Sequence, residues 1–155
     1  MLKRALIVSV LGLFVVAVRA ADTAPSYFAP PGSDPKTSPP FSNAVMVDGT
    51  FYVAGHLGLD PATGKAGSDA ETEARLVMDA VKQTLDKAGL TTDDLVSVTV
   101  YCTDLDLYDK FNAVYRGYFK GHYPARAFIG VAKLVRGAHF EVAGVAYKSK
   151  TPAKP

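Results

Sequence analysis

The chain predicts an α+β domain, a single sheet with two helices packed on one of its faces. Three observations carry this. Asp48-Gly49 stands between two short apolar runs, Ala44-Val45-Met46-Val47 and Thr50-Phe51-Tyr52-Val53-Ala54, which is the pattern of a β-hairpin. Ala70, Ala74, Val77, Met78, Val81, Leu85 and Ala88 recur at helical spacing. A β-branched run from Leu95 to Cys102 then separates that helix from a second helical stretch. A length of 155 residues allows one ordinary domain, and 48% apolar content gives it a sizeable core.

The first twenty residues read as a targeting segment. Lys3-Arg4 precedes the apolar run Ala5 to Val18, and Val18-Arg19-Ala20 follows. That is a basic start, a hydrophobic stretch and a small-residue cleavage site. The expectation is a signal peptide over 1–20, cleaved after Ala20, and an exported protein, periplasmic or secreted. The run is short of the ~20 apolar residues a membrane span needs, and an uncleaved anchor is the alternative. No cysteine follows for lipid attachment. Setting aside Lys3, Arg4 and Arg19 leaves 14 basic against 15 acidic residues. The net charge of +2 therefore belongs mostly to this segment and gives no argument for nucleic-acid binding.

A proline-rich leader over 21–38 carries Pro25, Pro30, Pro31 and Pro35, with Pro39 and Pro40 just beyond. Such density excludes a helix or a central strand, so an extended, exposed leader is expected. The domain proper spans 39–148. In its first hairpin, Asp48-Gly49 suits a type I′ turn, which needs positive φ at both central residues. Gly55 and Gly58 follow the second strand and allow close approach of another group. His56 lies between them, either as a hydrogen-bonded structural residue or as a site residue. His56, His122 and His139 have no metal-ligand spacing. Gly64-Lys65 lacks the other residues of a phosphate-binding loop.

Ser68-Asp69-Ala70-Glu71 reads as a capping box, with the Ser68 hydroxyl and the Glu71 carboxylate satisfying each other's backbone N–H. The first helix should run from about Asp69 to Ala88, with Gly89 as its left-handed C-cap. After the turn Thr91 to Asp94, the strand Leu95 to Cys102 alternates Val96, Val98, Val100 and Cys102 against Ser97, Thr99 and Tyr101. Cys102 reads as a buried, inert thiol rather than a nucleophile, and as the sole cysteine it forms no intramolecular disulfide. Asp104 or Asp106 caps a second helix over about Leu107 to Lys120. The strand Ala125 to Leu134, a tight turn at Arg136-Gly137-Ala138 and the strand His139 to Tyr147 complete the domain. Residues 149–155 are a polar tail. Two hairpin-like strand pairs thus flank a central strand. The face away from the helices should carry Val45, Val47, Phe51, Val53 and Val98, and leaving it uncovered implies self-association.

Two charged residues stand out in the last two strands. Pro124 holds Ala125 extended, so the chain enters the strand in a defined direction with Arg126 at its start. A guanidinium there can grip a carboxylate through two parallel hydrogen bonds. Glu141 in the next strand can serve as a general base toward a water within reach. A structural ion pair between the two, or plain solvent exposure, is the other reading of these residue types.

Phe41-Ser42-Asn43-Ala44-Val45, Ala54-Gly55, Pro124-Ala125-Arg126, Gly137 and Glu141 occur in the order seen in the YjgF/YER057c/UK114 family, also called RidA. From about Pro39 to Tyr147 the chain resembles that family. The resemblance implies a chorismate-mutase-like fold and a homotrimer with ligand clefts between subunits. It implies hydrolysis of 2-imino and enamine acids of the 2-aminoacrylate type to 2-keto acids and ammonia. Arg126 would hold the substrate carboxylate and Glu141 would activate water. Backbone groups at Gly55 and Ala127 would orient substrate and water, and Asn112 corresponds to a family asparagine near the cleft. No metal or organic cofactor is implied, since a protonated imine is already a strong electrophile.

The chain departs from the family at three site positions. Phe41 replaces a frequent Tyr, Ala127 replaces a hydroxyl or thiol residue, and His56 replaces a frequent Gln. The expectation is a more hydrophobic pocket for a small 2-imino or 2-keto acid, with narrowed or weakened turnover. A non-enzymatic trimer that binds small carboxylates, or acts as a holdase, is the alternative. A ribonuclease is disfavoured by near-zero mature charge and the absence of a basic aromatic stripe.

Overall fold

The computed structural model describes residues 24–148 except Pro31 and Pro35. The targeting segment and the polar tail lie outside the described residues, and with them the expected cleavage and export. Six strands form one sheet: β1 (Ser26–Phe28), β2 (Ala44–Val47), β3 (Thr50–Leu57), β4 (Leu95–Cys102), β5 (Ala125–Gly130) and β6 (Phe140–Tyr147). Two helices, α1 (Ala70–Asp86) and α2 (Tyr108–Tyr115), pack on one face of it. The expected α+β architecture of one sheet and two helices is what is observed.

The turn at Asp48-Gly49 joins β2 to β3 with φ of 49° and 79°, as a type I′ turn requires. The leader does more than lie exposed. Its β1 pairs antiparallel with β2, and the Phe28 ring meets the Phe51 ring edge-on at 5.0 Å. A three-residue edge strand needs only one hydrogen-bonded side, so the surrounding prolines do not forbid it.

Helix α1 starts differently from the expected Ser68 box. Asp69 is the N-cap, and its carboxylate accepts from the Thr72 N–H at 2.8 Å and the Thr72 hydroxyl at 2.7 Å. The Ser68 hydroxyl donates to Asp69 at 3.0 Å instead of capping. A carboxylate both accepts more strongly and answers the positive end of the helix dipole. Gly89 ends the helix with φ 67°, where the Leu90 and Gly89 N–H groups donate back to Leu85 and Asp86. This is the full Schellman pattern. The second helix is shorter than expected. Asp104 caps a 3₁₀ turn at Leu105–Leu107, α2 follows, and another 3₁₀ turn covers Arg116–Tyr118.

The last two strands are not a hairpin. The sheet order is β1-β2-β3-β6-β4-β5. Strand β5 runs parallel to β4, and β6 inserts antiparallel between β3 and β4. A helical crossover through α2 delivers β5 parallel to β4, which leaves the gap beside β3 for β6. Strand β5 stops at Gly130 rather than Leu134, and the chain turns back through Arg136 and Gly137, at φ 57° and 69°.

The register also corrects which residues face away from the helices. Phe51, Val53 and Val98 are buried in the core with Val77, Met78, Phe111 and Phe140. Val45, Tyr52 and Val145 pair across the opposite face, where Tyr52 is 50% and Ile129 42% exposed. A register shift between Leu95 and Ser97 turns Leu95 into the core and leaves Val96 exposed. Cys102 is fully buried, its thiol donates to the Asp104 carbonyl, and burial pushes its pKa up. It is the buried thiol expected.

Candidate functional site

Pro124 directs the chain into β5, and Arg126 leaves the strand on the helix side, paired with the core residue Val98 of β4. There the guanidinium donates to Asn112 Oδ1 of α2 at 2.8 Å. It lies 4.6 Å from the centroid of the Tyr115 ring and near 6 Å from Tyr108 and Phe128, at 5.8 and 5.7 Å. Aromatic faces favour a cation without neutralising it. Burial pushes the Tyr115 hydroxyl up to about 12, although the Arg126 charge opposes this, so the phenol stays neutral. A cavity of about 230 Å³ opens here, lined by Tyr108, Asn112, Tyr115, Arg116, Tyr123, Pro124 and Arg126. Asn112 therefore lines the Arg126 cavity rather than a solvated helix face.

Glu141 stands on the opposite face of the sheet. In β6 it pairs with Tyr101, while its neighbours Phe140 and Val142 point into the core. Its carboxylate lies directly over Gly55. A Cβ built at Gly55 would come 1.9 Å from Glu141 Oε1. The close approach that the glycine permits is thus by this side chain. The register irregularity between Val53 and His56 makes room for it, as bulges do near sites.

Arg126 and Glu141 form no ion pair and stand on opposite faces of the sheet. Ala127 pairs with Thr99 on the Glu141 side and is exposed. Phe41 is 57% exposed in the segment leading into β2, two residues before Asn43, whose carbonyl accepts from the Ala54 N–H. Phe41 lines a separate surface depression with Ser38, Pro39 and Ser42 and is not part of the Arg126 cavity. The chain thus carries two separate clusters, one on each face of the sheet: Arg126 with Asn112 and the tyrosines, and Glu141 with Gly55.

His56 turns its ring toward α1. Its Nε2 is 2.9 Å from the Thr84 hydroxyl. Burial, with help from Lys87, lowers its pKa to about 4. The ring is neutral at pH 7 and engaged in the helix layer, which leaves its backbone near Gly55.

One buried residue behind the site gave no sequence signal beyond an acidic first helical turn. Glu73 of α1 is fully buried. Its Oε1 accepts from the His139 and Phe140 N–H groups at 2.5 and 2.8 Å, and its Oε2 lies 2.8 Å from His139 Nδ1. Added side chains at Gly58 or Gly67 would strike Glu73 at 2.4 and 2.5 Å. The glycines form the slot that lets this carboxylate reach the start of β6, just before Glu141.

Comparison with known proteins finds relatives in both sequence and fold. A human 2-iminobutanoate/2-iminopropanoate deaminase is 38% identical over 109 residues, which cover 69% of this chain and 79% of the human protein. The crystal structure of Escherichia coli TdcF with bound serine superposes with a TM-score of 0.69 at 30% identity, covering 72% of this chain and 91% of TdcF. RidA from an Antarctic Psychrobacter gives a TM-score of 0.66 at 34% identity, covering 69% and 87%. The profile of the family described as endoribonuclease L-PSP matches residues 32–148. With the motifs above and this fold, the match establishes that the chain belongs to the endoribonuclease L-PSP family, the YjgF/YER057c/UK114 or RidA family.

Proposed function

We propose that this protein hydrolyses 2-imino and enamine acids to 2-keto acids and ammonia, in clefts that copies of the chain build together as a homotrimer. The observation that carries the reading is the pair of half-sites. Arg126 is a preorganised cation held by Asn112 with no acid paired to it among the described residues. Glu141 is a carboxylate placed over a glycine on the other face of the sheet. A reaction that uses both needs a second copy, and the exposed Tyr52 and Ile129 supply an apolar face for one. The human deaminase relative supports the reaction class.

In the proposed step Arg126 binds the substrate carboxylate and fixes the imine carbon. Glu141 accepts a proton from water as the oxygen attacks that carbon, giving a tetrahedral aminoalcohol. Glu141 returns that proton to nitrogen, the C–N bond breaks as the C=O bond forms, the hydroxyl proton is taken up by Glu141, and ammonia leaves a 2-keto acid. Orientation and a placed base are recognised sources of rate. The three histidines offer no acid–base pair for RNA cleavage. His56 faces Thr84, His139 faces Glu73, and His122 is exposed.

The test is ammonia release from freshly generated 2-aminoacrylate. The protein should accelerate it, and Arg126→Ala and Glu141→Gln should each lower kcat/KM by about a hundredfold or more. A wild-type protein that leaves the spontaneous rate unchanged overturns the reading. If that inert protein still binds 2-keto acids through Arg126, a non-enzymatic binder takes its place.

A further inference from the structure

The Arg126 cavity is lined by a second arginine, for which a simple imine has no use. Arg116 is the residue at which α2 ends, and it lines the same cavity. No Asp or Glu is in that lining, and among the described residues no carboxylate is paired to Arg116: Asp86 pairs with Lys82 and Glu73 with the His139 ring. Two arginines bordering one space of about 230 Å³, with no acid in its lining, make it suited to an anion. Arg126 is held in place by Asn112 and the aromatic rings, while Arg116 is exposed.

We infer that the preferred substrates are dicarboxylic 2-imino acids, the imines of four- and five-carbon acidic amino acids. The carboxylate next to the imine carbon binds Arg126, and the distal carboxylate binds Arg116. The short carbon chain between them lies along the faces of Tyr108 and Tyr123, which line the same cavity. A guanidinium is suited to both tasks because its planar fork matches a carboxylate. A cation at the end of α2 would also complement the helix dipole with no ligand present, and the experiment separates the two roles. The inference rests on the imine-hydrolysis reading for its chemistry, but not for its test.

The imines of aspartate and of 2-aminobutyrate are generated in place by amino-acid oxidases, and ammonia release is followed with wild type, Arg116→Gln and Arg116→Lys. Wild type should favour the diacid imine in kcat/KM. Arg116→Gln should lower the diacid-to-neutral ratio about tenfold, the scale of one lost charged hydrogen bond, and Arg116→Lys should restore much of it. In parallel, calorimetric titration compares succinate with butyrate on the same proteins. If neutral imines are hydrolysed and Arg116→Gln leaves both ratios unmoved, the dicarboxylate inference is overturned while imine hydrolysis stands. If no imine is hydrolysed but succinate binds over butyrate only when Arg116 is present, the hydrolase reading falls and the dicarboxylate pocket stands.

Discussion

At the scale of single residues, three side chains behind the charged pair decide whether the site holds its shape. Gly55→Ala puts a methyl group where Glu141 Oε1 now lies. The carboxylate must swing away, so turnover should fall at least about tenfold, and thermal melting will show whether the fold survives. Retained turnover in a folded Gly55→Ala protein would mean that this placement of Glu141 is not the working one. Glu73 ties three donors at the entrance of β6. Its replacement by Ala strands the buried Phe140 N–H and the part-buried His139 N–H and should cost about 2–4 kcal/mol, read by urea unfolding. His56 gives a pH signature. Its folded pKa, about 4, lies below the ordinary 6.5 because burial and Lys87 disfavour the cation. The unfolded chain therefore binds more protons between those values. The contribution of neutral His56 is complete above pH 6.5 and is lost as pH falls toward 4, by up to about 3 kcal/mol. Unfolding of His56→Gln across that window should show a flatter slope than wild type.

At the scale of elements, capping and strand order carry the argument. Asp69 accepts two hydrogen bonds from Thr72 at the start of α1, whereas Ser68 only donates to Asp69. Asp69→Ala should cost about 1 kcal/mol and Ser68→Ala much less. Equal shifts in the denaturation midpoint would return the cap to Ser68. The insertion of β6 between β3 and β4 has a larger consequence. It brings Glu141 beside Gly55 of β3 and Tyr101 of β4, far from the edge strand that carries Arg126. A hairpin of β5 with β6 would have set Arg126 and Glu141 in neighbouring strands at the sheet edge.

At the scale of the whole molecule, two half-sites on opposite faces make a specific demand. If each cleft takes Arg126 from one copy and Glu141 from another, two inactive variants complement each other. Arg126→Ala and Glu141→Gln chains, unfolded and refolded together in equal amounts, should regain about a quarter of wild-type activity in a closed ring of random composition. No recovery in mixed assemblies would place both groups of a working site in one copy. Sedimentation of the same samples tests the trimer directly.

The sequence by itself determined the local structure. Asp48-Gly49 dictated a turn with positive φ, Gly89 a helix end and the apolar spacing of α1 its buried stripe, because each depends on neighbours a few residues away. It also singled out Arg126 and Glu141 as candidates, since Pro124 sets the entry of Arg126 and the motifs around both residues are contiguous. It could not say which face of β3 or β4 enters the core. Tyr52 and Phe51 are both apolar enough to be buried, and a shift such as that at Leu95 reverses the parity of a strand. Only the tertiary structure decided that β6 lies between β3 and β4, that Glu73 reaches His139 across 66 residues, and that Arg126 and Glu141 face apart. The physical reason is one of range. Turns and caps are settled by local backbone sterics and hydrogen bonds, whereas strand order and sidedness are settled by burying the whole apolar surface at once.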